Sequence, residues 1–592
     1  MIHPEQILPT TRDELISIGL DKDQLDVILI SGDAYVDHPS FGVAMIGRYL
    51  ESLGYSVGII PQPDIKDSDS FRVLGTPRLF VGITSGNMDS MISNYTAARK
   101  PRRDDFYSEN GAPFKRPDRA LLVYSSIAKQ VFKKVPVVLG GIEASLRRLS
   151  HYDFWQEKVR RSTLLDAKAD YLVYGMGETA IGEIARLLAA GERDKIRDVR
   201  GVCYLSHTIS DSLSQSVTVL PSFEEVSIDR VAYASFAKTI FSYEHPESAG
   251  ILVQKHGDRY VVVNPPALPL ETEALDRLYE LPFTNKPHPR YCGSIPAYEM
   301  IKDSVTIMRG CFGGCSFCAL TEHQGKIIQS RSLPSVLGEV KRKVASGTKV
   351  ISDLGGPTAN MYRMHCSDEA IERACRKPSC VDPKVCIHLK HDHAPLIQLY
   401  EEVRKIPGLK KAFVASGVRY DLALDSGPYI AELATHHTGG HLKVAPEESN
   451  EKILKLMRKP SFDLFVEFKN SFEEASAKAK LEQYLVPYLI VGFPGATIDS
   501  TIELALKLKK LNFHVRQIQD FIPAPMTLSS AYYYLGSDPM TGEKLHIAKE
   551  KERRLMKTIL QFYKPENFPV LARLFTEMGR KDLIGPKGLI GY

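Results

Sequence analysis

The sequence predicts an α/β protein in three parts: an N-terminal doubly wound parallel sheet over 1–285, a partial (β/α)6 barrel over 286–525 and a helical extension over 526–592. Three observations predict it. Short apolar runs alternate with helix-period segments through the first two parts, the pattern of parallel sheets with crossover helices. A proline- and glycine-rich stretch, FTNKPHPRYCGSIPAYE within 283–300, separates two such series and marks a domain junction. After about residue 526 the chain turns polar and helical, as in KEKERRLMKTILQFY (549–563).

Taken in order, LDVILISG (25–32) reads as a buried strand ending at a glycine. FGVAMIGRYLESLG (41–54) follows with apolar residues at helical spacing and a glycine stop. YSVGIIPQP (55–63), RLFVGITSG (78–86), PVVLGG (136–141) and DYLVYGMGE (170–178) are further strands, and GETAIGEIARLLAAGE (177–192) is a patterned helix. Ligands of such sheets bind beyond the carboxyl ends of the strands. Those ends carry SGDAYVDHPSFG (31–42), GGIEASLRR (140–148) and GMGE (175–178), and with them Asp33, Asp37, His38 and Glu143. Residues 90–118 are polar, basic and aromatic, and read as a long loop. Past the junction, DSVTIMRG (303–310), KVISDLGGP (349–357), KKAFVASGVR (410–419), HLKVAP (441–446), YLVPYLIVGFPG (484–495) and VRQIQDFIPAP (515–525) are the six barrel strands. The last stretch, GRKDLIGPKGLIGY, offers little that could pack.

Hydrophobic residues make up 43% and charged residues 25% of the 592, an ordinary globular composition. A net charge of +5 is compatible with a nucleic-acid partner without indicating one. No apolar run approaches a membrane span, and MIHPEQILPTTRDEL shows no secretory pattern, so the expectation is a cytoplasmic protein with no membrane partner. In that compartment clustered cysteines bind metal or do redox chemistry more often than they form disulfides.

Only nine cysteines are present, and three fall in RGCFGGCSFCAL (309–320) as Cys311, Cys315 and Cys318. Three thiolates hold three irons of a [4Fe–4S] cluster and leave the fourth iron open. Gly313 and Gly314 let the backbone fold around the cube. VTIMRG places this loop at the end of the first barrel strand, where barrel active sites lie.

CFGGCSFC resembles the C-x3-C-x-aromatic-C loop of radical S-adenosylmethionine (SAM) enzymes. The resemblance implies that the open iron chelates SAM and that Phe317 lies against its adenine. It implies further SAM contacts at Gly355 and Gly356 of DLGGPTANMY, at Ser416 and Arg419 of ASGVRYD, at Glu448 of VAPEESNEKILKLMRKP and at Val491 of LIVGFPGATIDS. Pro357 stands where the family often carries an acidic residue, which leaves backbone carbonyls to serve there. With DAYVDHPSFG, GGIEASLRR, YGMGE and the tail, the whole chain resembles the YgiQ family of radical SAM proteins. The class implies an oxygen-sensitive enzyme, a flavodoxin- or ferredoxin-type electron donor and hydrogen abstraction from an unidentified substrate. Methylthiotransferase-like strands point to RNA as one candidate, and Arg147, Arg148 and the basic loop 99–119 to an anionic small molecule as another. A non-catalytic iron–sulfur or zinc protein that binds RNA or a protein is the alternative from another class.

A second set, Cys366, Cys375, Cys380 and Cys386, lies within 21 residues among charges and prolines. Four thiolates suit a second [4Fe–4S] cluster or a tetrahedral zinc, and the absence of C-x2-C pairs favours the cluster. His388, His391 and His393 are alternative ligands, and His436 and His437 either face the barrel pocket or belong to a polar turn. The N-terminal part also resembles cobalamin-binding domains. Asp37-His38-Pro39 is not their D-x-H-x-x-G motif, so the resemblance implies substrate binding or closure of the site ahead of cobalamin carriage. Cobalamin held without a histidine, in a cobalamin-dependent radical methyltransferase, stays open. The strand ends Asp33–Gly42, Gly140–Arg148 and Gly175–Glu178 are expected to face the barrel mouth.

Overall fold

Alternate residues of each strand feed two different cores, and this builds the first sheet. In β1 (Val27–Ser31), Val27 and Leu29 join one apolar cluster while Ile28 and Ile30 join another, because successive strand side chains point to opposite faces. The split recurs in β2 (Val57–Pro61), β3 (Phe80–Thr84), β4 (Val137–Gly140) and β5 (Tyr171–Val173). Helices Gly42–Ser52 and Glu178–Ala189 cover one face, and Ala120–Phe132 covers the other. These strands therefore need apolar residues at nearly every position, as a doubly covered parallel sheet requires. The computed structural model describes residues 6–21, 23–209, 217–243 and 245–591; Met1–Glu5 and Tyr592, the outer ends of the terminal stretches considered above, lie outside it.

The sheet has nine strands, completed by β6 (Val202–Ser206), β7 (Val217–Leu220), β8 (Ile251–His256) and β9 (Arg259–Val263), in the order β7-β8-β9-β6-β5-β4-β3-β1-β2. The first five strands pair in parallel, as expected. Beyond β5 the sheet departs from the expectation: β6, β9 and β8 run antiparallel to their neighbours in turn. The cause is local. Gly257 (φ +63°) and Asp258 close a two-residue turn between β8 and β9, and a turn that short permits only antiparallel pairing. Strand order reverses at β1, which lies between β2 and β3, so a crevice opens beyond the ends of β1 and β3.

The proline-rich stretch is tied to the first domain. Lys286–Pro287 pairs antiparallel with Val36–Asp37, and the Thr284 N–H donates to the Asp37 carboxylate at 2.9 Å. The barrel follows with β10 (Ser304–Thr306), β11 (Val350–Ile351), β12 (Asp353–Gly355), β13 (Lys411–Ala412), β14 (His441–Glu447), β15 (Tyr484–Val491) and β16 (Ile518–Asp520). Strands β11 and β12 form one broken stave, which gives the six expected staves. Pairing is parallel throughout: β10 with β12, β11 with β13, and β14 with β15 with β16.

The C-terminal part is helical, with Leu528–Leu535, Glu550–Leu560 and Phe568–Glu577. Tyr533 and Tyr534 of its first helix pack on Tyr152, Phe154 and Tyr233, which joins the extension to the N-terminal domain. The last stretch was expected to pack little, yet Leu589 and Ile590 are buried. Gly588 lies so close to the Leu583 carbonyl that a β-carbon would overlap it, and this lets the chain fold back on itself. Among the described residues no helix is long and apolar enough to cross a membrane.

Candidate metal centre and interdomain cavity

The cysteine loop leaves the end of β10 through a short ladder. Met308–Arg309 pairs antiparallel with Gln329–Ser330, so residues 310–328 form a loop clamped at its base. Gly310 (φ +85°) starts the turn, and the Cys311 N–H donates to Gly325 O at 3.1 Å. Thr358 Oγ1 stands 3.4 Å from Cys311 Sγ. Arg419 Nη1 lies 4.0 Å from Cys315 Sγ, and the Cys318 N–H donates to Cys315 O at 3.0 Å. A β-carbon at Gly313 would lie 3.4 Å from Cys311 Sγ and 2.9 Å from Arg419 Nη1.

Burial raises the Cys315 thiol above its ordinary value against the pull of Lys459 and Arg419, and pushes Cys318 up to about 12. The neighbouring thiols add to the rise at Cys318. Three half-buried thiols beside two cations form a donor set whose negative charge is compensated once a metal shares it. Among the described residues no three His, Cys, Asp or Glu side chains stand close enough to share a single ion. A cube of four irons spreads its thiolates further apart than one ion does, and three thiols on one loop beside Arg419 and Lys459 are the donor type such a cube takes.

The other expected SAM contacts separate into two groups. Phe317 meets Phe493, which follows β15, edge to face at 6.3 Å, so the loop aromatic and the turn after Val491 do come together. Val491 itself is buried, and its carbonyl accepts from Phe521 N–H at 2.9 Å. Arg419 lies against Cys315 and pairs with Asp421 at 2.6 Å. Ser416 is taken up by Asp353, to which its hydroxyl donates. A β-carbon at Gly355 would strike Ser416, and one at Gly356 would lie 2.5 Å from Met308 Sδ, so close packing of neighbouring staves explains both glycines. Glu448 corrects the expectation: its carboxylate accepts from Ser449 N–H at 2.8 Å and responds to Lys507 and Glu503 on the next helix. Burial pushes it up to about 7. Glu447 is the residue beside the thiols, 3.8 Å from Lys459.

Sequence reasoning missed Asn360, Thr358, Asp421 and Lys459. Asn360 is fully buried and clamps Arg419 through both backbone groups, at 2.8 and 2.9 Å. The available signal was its place in GGPTAN, next to the expected SAM edge.

The second cysteine set also gathers. Cys366 pairs across a two-residue ladder with Leu389, whose N–H donates to Cys386 O at 2.9 Å. The Cys386 N–H donates to Cys380 O at 2.8 Å, and Lys326 Nζ lies 3.8 Å from Cys375 Sγ. A zinc ion would hold four thiolates at about 2.3 Å, and among the described residues no side chains are drawn together as tightly as a single ion would draw them. Two of the three histidine alternatives, His391 and His393, are otherwise engaged. His391 pairs with Asp425 at 3.2 Å, and His393 stacks on Tyr429 beside Asn360. His437 is buried between Ala412 O and Glu432, with His436 beside the same carboxylate, so this pair braces the barrel wall.

The N-terminal strand ends do face the barrel. A cavity of about 580 Å³ opens between Pro39, Gly42, Gly140–Ile142 and Gly175–Glu178 on one side and Thr306, Met308, Arg309, Gly356 and Pro357 on the other. Leu320, His323 and Gln324, on the helix that follows Cys318, complete the wall. Arg309 spans the two domains to Glu178 at 2.6 Å, and Ser145 Oγ meets His323 Nδ1 at 2.9 Å.

The charged groups expected at this mouth are neutralised inside the fold. Arg147 pairs with Asp89, and Arg148 lies over Tyr174 and reaches Glu322 at 3.5 Å. In the basic loop 99–119, expected to border the cavity, Arg116 is fully buried between Asp33 at 2.8 Å and Asp105 at 3.3 Å. Asp37 pairs with buried Arg48 at 2.6 Å, and Glu143 accepts from Ser90. His38 is buried away from the cavity wall, and desolvation lowers it to about 3. Arg147, Arg148 and Arg116 are thus held by partners inside the fold, while Arg99, Lys100, Arg103 and Lys115 of the basic loop are exposed.

Comparison with known proteins gives the family of the chain. The family model described as "Radical SAM N-terminal" matches residues 7–304, "Radical SAM superfamily" matches 305–508, and a domain of unknown function matches 516–589. A UPF0313 protein of Rhodopseudomonas palustris is 49% identical over 99% of this chain and 90% of its own length. The UPF0313 protein YgiQ of Escherichia coli K12 is 46% identical over 99% and 87%. The chain is a radical SAM superfamily protein and belongs to the UPF0313, or YgiQ, family. Among solved structures, the radical SAM methyltransferase TsrM of Kitasatospora setae, with tryptophan and a SAM analogue bound, overlaps at TM-score 0.47 and 15% identity, covering 85% of this chain and 75% of its own. The cobalamin-dependent enzyme OxsB overlaps at TM-score 0.45 and 12% identity, over 88% and 57%.

Proposed function

We propose that this chain is a radical SAM enzyme in which Cys311, Cys315 and Cys318 hold a [4Fe–4S] cluster and the interdomain cavity receives the substrate. The observation that carries the reading is the position of three half-buried thiols on a clamped loop at the end of β10, one helical turn from the wall of a cavity that both domains share. Bound there, the cluster would supply the electron that splits SAM into methionine and a 5′-deoxyadenosyl radical, drawn from a flavodoxin- or ferredoxin-type donor. Arg419 and Lys459 offset the negative charge of the thiolates. Phe317 and Phe493 supply an apolar aromatic corner beside the loop. The two domains wall the cavity from two sides, and a carbon radical requires that bulk water be kept out while it forms.

The lining also bears on the substrate. Its acidic and basic groups are Glu178 and Arg309, which neutralise each other, and His323, which burial lowers to about 4 and keeps neutral. A cavity of this size and polarity suits an uncharged small molecule, or an uncharged group of comparable size. The test is anaerobic reconstitution followed by reduction in the presence of SAM. Wild-type protein is expected to form 5′-deoxyadenosine, and Cys315→Ala to form none while keeping its fold by circular dichroism. Product formation by Cys315→Ala at the wild-type rate would refute the assignment.

A further inference from the structure

The second cysteine set is not used by the chemistry above, and its position is informative. The segment that carries it is laid directly on the first cysteine loop. The Cys380 N–H donates to Phe312 O at 3.1 Å, and Ser379 Oγ donates to Gly313 O at 2.8 Å. Gly314 approaches the Pro378 carbonyl so closely that a β-carbon there would overlap it. Residues 378–380 and 312–314 thus share a seam of contacts.

The four thiols themselves converge although they are spread over 21 residues of chain. The ladder of Cys366 with Leu389 and the hydrogen bonds from Leu389 to Cys386 and from Cys386 to Cys380 bring three of them to one place. Lys326 ties in the fourth: its ammonium lies 3.8 Å from Cys375 Sγ and is also the strongest charge acting on Cys380, whose thiol feels Cys375, Cys386 and Cys366 as well. Cys380 and Cys386 pack against the main apolar core, while all four remain partly exposed. A lysine amid four gathered thiols balances part of the negative charge that a loaded site would carry.

We propose that Cys366, Cys375, Cys380 and Cys386 hold a second [4Fe–4S] cluster, fully ligated by the protein, that passes electrons to the first through the Cys380–Phe312 seam. Four cysteines leave no iron open, so this centre does not bind SAM and acts only in electron transfer. The external one-electron donor, of the flavodoxin or ferredoxin class, loses one electron; the second centre gains it and returns to its resting state on giving it to the first. The existence of the second centre is independent of the function proposed above, and only its relay role rests on that reading.

The test uses full-length protein reconstituted anaerobically with iron and sulfide. Wild type is expected to hold roughly eight irons, four to each cube. A variant with Cys311, Cys315 and Cys318 all changed to Ala is expected to retain half of that iron, with an electron paramagnetic resonance signal that SAM does not shift. A variant with Cys366, Cys375, Cys380 and Cys386 all changed to Ala is expected to retain the other half, with a signal that SAM does shift, and to lose SAM cleavage driven by a flavodoxin while keeping cleavage driven by dithionite. Iron absent from the first variant, or zinc in its place, overturns the second cluster. Equal loss with both reductants overturns the relay. If either variant fails to fold, the wild type decides by Mössbauer spectroscopy. Two cubes predict that SAM perturbs one iron of roughly eight, and a ratio of one in about four would refute the proposal.

Discussion

Gly314 constrains the cysteine loop more tightly than Gly313 does. Gly314 has φ +63°, where alanine costs about 1–2 kcal/mol, and its missing β-carbon leaves room for the Pro378 carbonyl. The space beside Gly313 is bounded by the end of an arginine side chain. Gly314→Ala is therefore expected to lower iron retained per chain well below that of Gly313→Ala, read by iron analysis after identical reconstitution. Equal retention would mean that the backbone at 314 has slack. Single positions also show where the sequence stopped being legible. The spacing of Cys311, Cys315 and Cys318 is written in the chain itself. Whether Glu447 or Glu448 faces them is not, because the β14–β15 register shifts between Val444 and Glu447 and Glu447 takes φ +66°, which upsets the two-residue alternation. Arg147 and Arg148 look like free cations until Asp89 and Glu322, distant in sequence, are found beside them.

The segment 90–118 is mostly irregular, as expected, but it is tied into the domain at one buried point. Arg116 anchors it with bonds to Asp33, Asp105 and the Ser85 carbonyl at 2.7 Å, all out of solvent. Removing one partner from such a buried pair leaves an uncompensated charge, at a cost of about 3–5 kcal/mol. Arg116→Leu is expected to raise hydrogen exchange across 85–118 while leaving β1–β5 protected, measured by mass spectrometry of peptides. Unchanged exchange in that segment would show that other contacts hold it. The composition of 90–118 gave no hint of this, because a basic stretch reads as solvated until its acidic partners are known. The parallel half of the sheet was legible for the opposite reason: strands covered on both faces are apolar at almost every position. The antiparallel half depends on a turn at Gly257 and on pairing between β6 and β9, which are far apart in the chain.

The two domains meet through groups that burial holds neutral or paired. His323 touches Ser145 across that contact and is lowered to about 4, and His38 and His151 within the N-terminal domain are lowered to about 3. A histidine held neutral in the fold binds its proton more weakly there than in the unfolded chain. Its stabilisation is complete above the unfolded value near 6.5 and is lost as pH falls towards the folded value, at about 1.4 kcal/mol for each unit. The thermal midpoint is therefore expected to be level above pH 7 and to fall steadily from about pH 6.5 towards pH 4. His323→Gln should soften that fall, as read by scanning fluorimetry across the range. A level profile down to pH 5 would show that these rings reach solvent.

The seam between residues 312–314 and 378–380 makes the two cysteine segments a single mechanical unit. Whatever fixes one segment lowers the entropy still to be lost by the other. Thermodynamic linkage makes this help mutual and equal in both directions. Partially loaded chains should then be scarce at intermediate iron, with the population dividing into empty and full molecules.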